Sequence, residues 1–353
     1  MHSLYNRGED VAITRVPGDS YLVIDSADRS SSTSSTGEPL AAPYTQPYNN
    51  FRLQKPQNLV QGGFTRLQLT EVNFPYAIPN INPYTDTLWV RIINPTGGAV
   101  INQKITLETS PGDPIEGMYY GSDLAFILAG ELNTTAAISS SIGITWQVVY
   151  IPNDITAAYN GGFQIICTLT STGAEYPFAL YPSSPASVGV QPIPAKSLLN
   201  VLGFNPLSNW TYLTTPSSIK ASGYAPLSYT SYIDVVSSKL TYYQNVQDSS
   251  SKTNSKGGVI CRLFVTNDNS ASASVGYFWN GTTPVRYQSS LPPGSAPFII
   301  HRQFVSPKSF KWNKNTAIDT VDIQLYDDAG QPLYISEDRS YPDFQITFKC
   351  TED

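Results

Sequence analysis

The chain has 353 residues, with 21 Lys and Arg against 27 Asp and Glu, so its formal net charge at pH 7 is −6. Charged residues make up only 14% of it, whereas 27 prolines and 23 tyrosines are both high counts. Hydrophobic residues, at 41%, supply enough apolar surface to fold, which excludes a disordered acidic chain. No window approaches the roughly 18 to 20 continuous apolar residues of a membrane-spanning helix, so we expect no transmembrane segment.

Histidine and cysteine are too few and too scattered for common catalytic and metal sites. The histidines are His2 and His301, and His301 lies in an alternating stretch typical of a strand, which favours a structural role. Cys167, Cys261 and Cys350 each lie in an alternating apolar run, which favours buried free thiols. Zinc-ligand spacings, phosphate-binding glycine loops and nucleophile elbows are all missing from the sequence. We therefore expect no enzyme activity and no cofactor.

The charge pattern also bears on partners. The net charge is negative and the Lys and Arg residues are scattered singly, so direct nucleic-acid binding is disfavoured. The first ten residues lack an apolar segment behind a basic start, so they do not resemble a secretory signal, and we expect synthesis in the cytosol.

Residues 1–50 are predicted to form one strand and an extended arm. The apolar stretch at 21–29, YLVIDSADR, predicts a short strand that ends in a charged turn. Residues 30–50 are dominated by Ser, Thr, Pro and Gly, so this segment is too polar to pack as a domain.

Strands begin again at Phe51. Residues 63–76 alternate between apolar and polar side chains, and the stretches 86–93 and 99–109 flank an NPTGG turn, which predicts a hairpin. We assign residues 51–110 to a β-sandwich.

The segment 111–226 differs from the strands before it because part of its apolar pattern has helical spacing. Leucine and isoleucine at helical spacing follow Ser122 and Asp123, which we expect to cap a helix. The segment therefore predicts a small α+β domain inserted between strands. Its elements are a helix at 121–135, a hairpin of strands at 143–152 and 161–170, and a helix at 195–204 that ends at Gly203.

The last part of the chain, 227–353, returns to strands. Asp327 and Asp328 lie in DDAGQP, a tight-turn sequence, so we interpret them as turn residues rather than as a general acid and base. The fold prediction is all-β dominated: a single jelly-roll antiparallel β-sandwich formed by 51–110 and 227–353, with the insertion and the arm attached. Strands are predicted at 230–243, 259–267, 298–304, 309–313, 319–327, 331–335 and 343–350.

The start of the chain resembles vertex and minor capsid proteins of virophages and nucleocytoplasmic large DNA viruses. The resemblance runs from YLVIDSADR, through the Ser/Pro-rich arm, to the strand that ends in LTEVNFPYAIPNIN. Those families have an apolar strand, an acidic-Ser-x-Asp-Arg turn, a spacer, and a strand leading into a Pro-Asn stretch. The matching positions are Asp25, Ser26, Asp28, Arg29, Pro79 and Asn80.

Two later regions are similar to the same proteins. Tyr119 and Tyr120, followed by a helix, a hairpin and LLNVLGF, resemble the inserted unit of such virion proteins, although Val201 interrupts the commoner form. The strings YIDVVSSKLTYYQNVQD, PFIIHRQFVSPKSFKWN and VDIQLYDDAGQPLY resemble the closing strands of penton-type proteins.

The resemblance implies a penton protein, a homopentamer at the five-fold vertices of an icosahedral double-stranded DNA virus capsid. Its implied partners are the double jelly-roll capsomers of the major capsid protein and, through the arm, minor capsid proteins; the implied location is the virion, after synthesis in the host cytosol. We predict assembly contacts at Asp25, Asp28 and Arg29, with the alternative that Asp28 and Arg29 simply solvate a turn.

Two other functions fit the same residues. One is a minor capsid or cement protein of the same viruses. The other is a carbohydrate-binding or receptor-binding β-sandwich, in which exposed aromatic side chains stack on sugars, although the same side chains could pack in a core or an interface. The aromatic residues considered for this role are Trp210, Tyr212, Tyr277 and Trp279.

Overall fold

A computed structural model of the chain is all-β dominated, with antiparallel sheets and few helices. It describes residues 19–31, 46–54, 58–61, 63–110, 113–151, 162–185, 196–204, 218–220, 225–243, 258–265, 275–279, 284–288, 298–335 and 342–352.

The described elements follow one another in this order. The strands are β1 (Ser20–Asp25), β2 (Asn50–Gln54), β3 (Arg66–Tyr76), β4 (Thr87–Ile93), β5 (Val100–Thr106), β6 (Glu108–Ser110), β7 (Asp113–Pro114), β8 (Ile144–Ile151), β9 (Gly162–Leu169), β10 (Phe178–Tyr181), β11 (Ser218–Lys220), β12 (Tyr232–Val236), β13 (Val259–Phe264), β14 (Val275–Trp279), β15 (Pro284–Gln288), β16 (Phe298–Gln303), β17 (Ser309–Lys311), β18 (Thr320–Tyr326) and β19 (Gln345–Thr351). The α-helices are α1 (Gly121–Thr134) and α2 (Leu198–Val201), and 3-10 turns occupy Ser26–Ser31, Ala136–Ile138 and Ser140–Ile142.

Two sheets enclose the first core. One sheet has the strand order β1-β19-β3-β16, with β17 also paired to β3, and the other has the order β13-β12-β18-β2. In the first of these sheets, β3 and β19 alternate between buried and more exposed residues because successive side chains of a strand point to opposite faces. Leu67, Phe348 and Phe310 from one sheet and Ile233 and Ile323 from the other belong to the same buried cluster. The two sheets therefore pack face to face.

A second core lies between two smaller sheets and the helices. The sheets have the orders β10-β4-β5 and β11-β9-β8, and the cluster also contains leucines from α1 and α2. The hairpin of β4 and β5, which we expected in the sandwich, contributes Leu88, Val90 and Ile92 to this second core. Its inward-facing side chains pack with the helices and not with the sandwich sheets.

The chain passes between the cores at two points. Ile78 belongs to the first core and Ile81 to the second, and on the way back Leu227 belongs to the second and Tyr229 to the first. The second core is thus a continuous stretch of the chain placed between β3 and β12.

Helix α1 is confirmed, but its predicted caps are wrong. The N-cap residue is Tyr120, which makes no side-chain capping hydrogen bond, and Ser122 and Asp123 lie inside the first turn. The helix begins at Gly121, as predicted, and this glycine lies against the ring of Tyr150, where a Cβ atom would be only 2.6 Å from ring carbons. An acidic residue in the first turn still favours the helix through its dipole.

The other local predictions divide in the same way. The hairpins β4/β5 and β8/β9 are confirmed, and α2 ends before Gly203, whose φ of 80° suits glycine. The strand predicted at 230–243 ends at Val236 because the following residues turn around the side chain of Asp322. The strand predicted at 331–335 is only an isolated bridge between Tyr326 and Pro332.

The cysteine prediction is confirmed. Cys167, Cys261 and Cys350 are free and buried. Burial raises the pKa of the Cys167 and Cys261 thiols to about 12 and that of Cys350 to about 11. At neutral pH these thiols are protonated and therefore poor nucleophiles.

Candidate functional site

The most elaborate polar arrangement lies where the two cores meet. We call this arrangement the junction and define it as Lys196, Tyr229, Asp327, Asp328 and Asn80. A second polar group, the arm anchor, joins the end of β1 to the start of β19; it consists of Ser26, Arg29, Tyr48 and Asp343.

Lys196 reaches from the second unit into the sandwich. It lies two residues before α2, whose leucines belong to the second core. Its Nζ donates a 2.8 Å hydrogen bond to the carbonyl of Tyr229 and another to the carboxylate of Asp328, and it lies 4.0 Å from the carboxylate of Asp327. It also lies 4.9 Å from the centre of the Tyr229 ring. One lysine therefore contacts both the start of β12 and the turn after β18.

Asp327 is the fully buried carboxylate of the junction. Its carboxylate accepts hydrogen bonds from the backbone N–H groups of Ala329 and Gln331, both at 2.9 Å, and from the hydroxyl of Tyr229 at 3.0 Å. These bonds confirm the predicted turn, in which Gly330 has a φ of 75°. Burial first, and then the neighbouring Asp327 carboxylate, raise the pKa of Tyr229, so its hydroxyl stays a donor.

Asp328 is held by one cation and one backbone donor. Its carboxylate accepts from Lys196 and, at 2.8 Å, from the N–H of Ser231. Burial alone would raise the pKa of Asp328, but the charge and hydrogen bond of Lys196 and the Ser231 N–H outweigh it, so the pKa lies below its usual 3.8. The carboxylate is thus charged throughout the neutral range.

This lowered pKa predicts a pH-dependent contribution to stability. A carboxyl group with a lower pKa in the folded state stabilises the fold above its unfolded pKa of about 3.9 and loses that contribution as pH falls through the folded value. Asp328→Asn should therefore lower the free energy of unfolding most near pH 7. The difference from the parent protein should shrink steadily below about pH 4. Urea unfolding of both proteins from pH 7 to pH 3 measures this. A deficit that is constant with pH would contradict the assignment.

Asn80 closes the junction on the opposite side. Its buried side-chain amide donates to the carbonyls of Tyr119 at 2.8 Å and Leu227 at 3.2 Å, and its carbonyl accepts from the N–H of Tyr119 at 2.9 Å. It lies where the chain enters the second core and bonds to the residue just before the chain leaves it. All three bonds tie backbone that is far apart in sequence.

The second core carries carboxyl groups with the opposite tendency. Burial raises the pKa of Asp86, Asp123 and Glu131, and for Asp86 and Glu131 the nearby Glu108 adds to the rise. Groups with a raised pKa make the fold more stable as pH falls, because the folded state binds the proton more tightly than the unfolded state does. Both Asp328→Asn and the parent protein contain these three carboxyl groups, so their contribution to the pH dependence cancels when the two proteins are compared.

A cavity of about 500 Å³ lies beside Lys196 and is lined by polar residues that include Asn200, Ser231 and Asp328. Across the part of the chain that the structure describes, no three His, Cys, Asp or Glu side chains are grouped to hold a metal ion. Within those same residues, no helix is long and apolar enough to cross a membrane.

The arm anchor places one predicted assembly residue inside the fold. The side chain of Arg29 is buried and donates to the carboxylate of Asp343 at 2.5 Å and to the carbonyl of Ser26 at 2.6 Å. Its guanidinium lies 5.2 Å from the centre of the Tyr48 ring. The hydroxyl of Ser26 accepts from the N–H of Phe344 at 2.9 Å, so the turn after β1 is bonded to the start of β19.

The other two predicted residues lie nearer the surface. Asp25 accepts from the N–H of Ala27 at 2.9 Å and from the side chain of Gln345 at 3.4 Å, and Asp28 is half-buried. The structure thus brings Arg29 together with Asp343 of the same chain. The assembly role of Asp25, Asp28 and Arg29 stays a prediction.

The remaining candidates are placed as follows. Trp210 and Tyr212 lie outside the described residues, and Tyr277 and Trp279 lie in β14, whose backbone pairs with β15. His301 is half-exposed on β16, with Nδ1 3.7 Å from a carboxylate oxygen of Glu71.

Lys196 and Tyr229, which contact each other, were not identified as site residues from the sequence. One signal was available for Lys196, which is a lone charge directly before the apolar run SLLNVLGF and is therefore placed close to a core. The pairing with Asp327 and Asp328 links residues 131 and 132 positions away, and local patterns do not report such a distance.

Comparison with known proteins finds matches among solved structures only. No family model matches the chain, and no curated protein matches it. Among solved structures, the crystal structure of the selenomethionine-labelled mavirus penton protein is similar to it at 12% sequence identity and a TM-score of 0.43. The overlap covers 94% of this chain and 99% of that one. The resemblance expected from the sequence thus recurs in a structural comparison, but overlap at this TM-score is too loose to support fold or function.

Proposed function

We propose that the chain is a penton protein: a jelly-roll sandwich with an inserted α+β unit that assembles into homopentamers and closes the five-fold vertices of an icosahedral double-stranded DNA virus capsid. The observation that carries the proposal is the order of the strands in the two sheets of the first core. Jelly rolls are a recurrent architecture of viral capsid proteins.

The sandwich strands pair in nested fashion. Apart from the short β17, which also pairs with β3, they are in chain order β1, β2, β3, β12, β13, β16, β18 and β19. Of these eight, the first pairs with the eighth, the second with the seventh, the third with the sixth and the fourth with the fifth. All four pairings are antiparallel. A long hairpin rolled into two facing sheets produces this nesting, which supports the jelly roll.

Because lectins and other proteins also use jelly rolls, the fold alone does not select a capsid role. The choice rests on the sequence resemblance and on the place of the insertion. The second core occupies a single connection, between β3 and β12, so the insertion lies at one end of the sandwich. With the insertion at one end, the sandwich edges can serve as lateral contacts.

The exposed apolar residues of the sandwich fit such contacts. Tyr21 and Val23 are exposed on the edge strand β1, and Ile299 is exposed on β16 at the other edge of the same sheet. A closed ring of identical subunits needs two different, complementary surfaces on each copy. We assign the β1 edge and the β16 edge to these two surfaces.

The remaining partners follow from the same proposal. The major capsid protein would surround the pentamer, and the polar segment that includes residues 32–45 would reach minor capsid proteins from the arm anchor. Low overall charge, 14% of residues, allows copies to pack closely without strong repulsion. The protonated thiols and the absence of a grouped metal site among described residues are compatible with a structural rather than a catalytic role.

Native mass spectrometry at rising concentration tests the proposal. We expect a particle of five times the 38.6 kDa chain mass. Val23→Lys should dissociate it, because a charge would be buried in the β1 contact, whereas Val100→Lys in the second unit should not. The two valines are matched, at 48% and 49% exposure. A monomer at every concentration, or equal effects of both variants, would contradict the proposal.

A further inference from the structure

A second cavity, of about 420 Å³, lies at the far end of the sandwich from the junction. The junction lies at the start of β12 and the end of β18, whereas this cavity lies at the end of β12 and the start of β18. We call it the distal cavity. Its volume is in the range of pockets for small ligands, about 300 to 1,000 Å³. The distal cavity is lined by cationic and aromatic side chains, among them Arg52, Lys239, Tyr242, Tyr243 and Trp312.

One wall of the distal cavity is a ladder of aromatic rings. Tyr242 is 75% exposed and contacts the ring of Tyr243 edge-on at 5.0 Å, and Tyr243 contacts Trp312 edge-on at 5.3 Å. Trp312 stacks on the buried Phe64 at 5.9 Å, and its indole N–H donates to the carbonyl of Thr316 at 2.7 Å. The inner part of the wall is therefore fixed by the core, while its outer ring faces solvent.

Two cations face the same cavity with their charged groups unused. Among the described residues, the guanidinium of Arg52 and the ammonium of Lys239 take part in no hydrogen bond or ion pair; only their backbone groups are bonded. Of the described residues, Asp319 is the one carboxylate that lines the cavity, and it forms no ion pair with Arg52 or Lys239.

The nearest other carboxylate is already saturated. Asp322 lies directly opposite Arg52 in the pairing of β18 with β2. Its two oxygens accept four hydrogen bonds, from the hydroxyls of Ser237 and Ser238 and the N–H groups of Ser238 and Lys239. Those donors hold the pKa of Asp322 below its usual value even though burial would raise it. The Asp322 carboxylate is therefore bonded to the turn after β12 and not to the guanidinium of Arg52.

We propose that the distal cavity binds a saccharide that carries a carboxylate group. The negative faces of aromatic rings attract the slightly positive C–H bonds of a sugar ring, which suits the wall formed by Tyr242 and Trp312. A guanidinium binds a carboxylate through two parallel hydrogen bonds, and the ammonium of Lys239 adds a second positive charge. An aromatic wall beside two cations favours a ligand that carries both a sugar ring and a carboxylate. This site does not depend on the penton proposal.

Isothermal titration of the full chain with glucuronate, glucose and acetate tests the inference. We expect glucuronate to bind at least about tenfold more tightly than either glucose or acetate, because only glucuronate engages both the wall and the cations. Equal binding of glucuronate and glucose, equal binding of glucuronate and acetate, or no binding of glucuronate would overturn it.

Matched variants locate the site. Tyr242→Ala and Lys239→Gln should each weaken glucuronate binding about tenfold. Tyr84→Ala removes a tyrosine that is 60% exposed elsewhere, and Lys314→Gln removes an exposed lysine outside the cavity; both should bind like the parent protein. Because these side chains are exposed, the variants should fold, which far-ultraviolet circular dichroism checks. Unchanged affinity in both cavity variants would overturn the assignment.

Discussion

Phe344→Ala should lower the free energy of unfolding by about 3 to 5 kcal/mol, the usual cost of removing a buried phenylalanine ring. Phe344 is fully buried just before β19, and its ring contacts those of Tyr48, Phe51 and Phe74 at 5.3, 5.8 and 5.4 Å. These rings come from both sheets and from the segment before β2. Its loss would leave a cavity below the arm anchor.

The matched control is Phe126→Ala. Phe126 is 83% exposed on α1, so its removal should change stability by less than about 0.5 kcal/mol. Urea unfolding followed by tryptophan fluorescence measures both variants. Similar losses for the two phenylalanines would show that Phe344 does not lie in the centre of the first core.

Lys196→Met should have the next largest effect, a loss of about 3 to 5 kcal/mol. The change keeps an unbranched side chain that is one atom shorter, but it leaves the fully buried carboxylate of Asp327 and the bonded carboxylate of Asp328 without their cation. Breaking a buried ion pair by removing one partner costs the desolvation of the charge that remains.

Two controls separate this effect from a general loss of charge. Lys314→Met removes a lysine of an exposed pair with Glu352, and such pairs contribute about 0 to 1 kcal/mol. Asp328→Asn, combined with Lys196→Met, should cost less than the sum of the two single changes because both remove the same contact. Additive losses would indicate that Lys196 stabilises the fold without its pairing to Asp328.

Local patterns predicted the strands well because burial on one face imposes a period of two. In β3, for example, Leu67 and Leu69 point into the core while Arg66 and Gln68 do not. The hairpins β4/β5 and β8/β9 were predictable for the same reason, since both of their strands carry the pattern and the turn sequences mark the reversal.

Predictions that depend on long-range packing were less successful. The strands β4 and β5 were expected in the sandwich, but the apolar inner face of β4, formed by Leu88, Val90 and Ile92, does not by itself show which core it joins. The cap of α1 was assigned to the polar residues Ser122 and Asp123, whereas the N-cap is Tyr120, which makes no side-chain capping hydrogen bond.

The candidate site shows the same limit. Arg29 was proposed from the sequence as a charged assembly contact, whereas its side chain is buried and its partner Asp343 lies 314 residues away. Asn80 was noticed through its Pro-Asn motif, whereas its bonds to Tyr119 and Leu227 follow only from the fold.

Electron cryomicroscopy of the purified 353-residue protein tests the central claim, a five-fold ring of jelly-roll sandwiches, most directly. We predict five copies around one axis, with the β1 edge of each sandwich against the β16 edge of the next. The inserted units should all lie at the same end of the ring. Particles with another symmetry, or a ring joined through the inserted units while both sandwich edges face solvent, would contradict it.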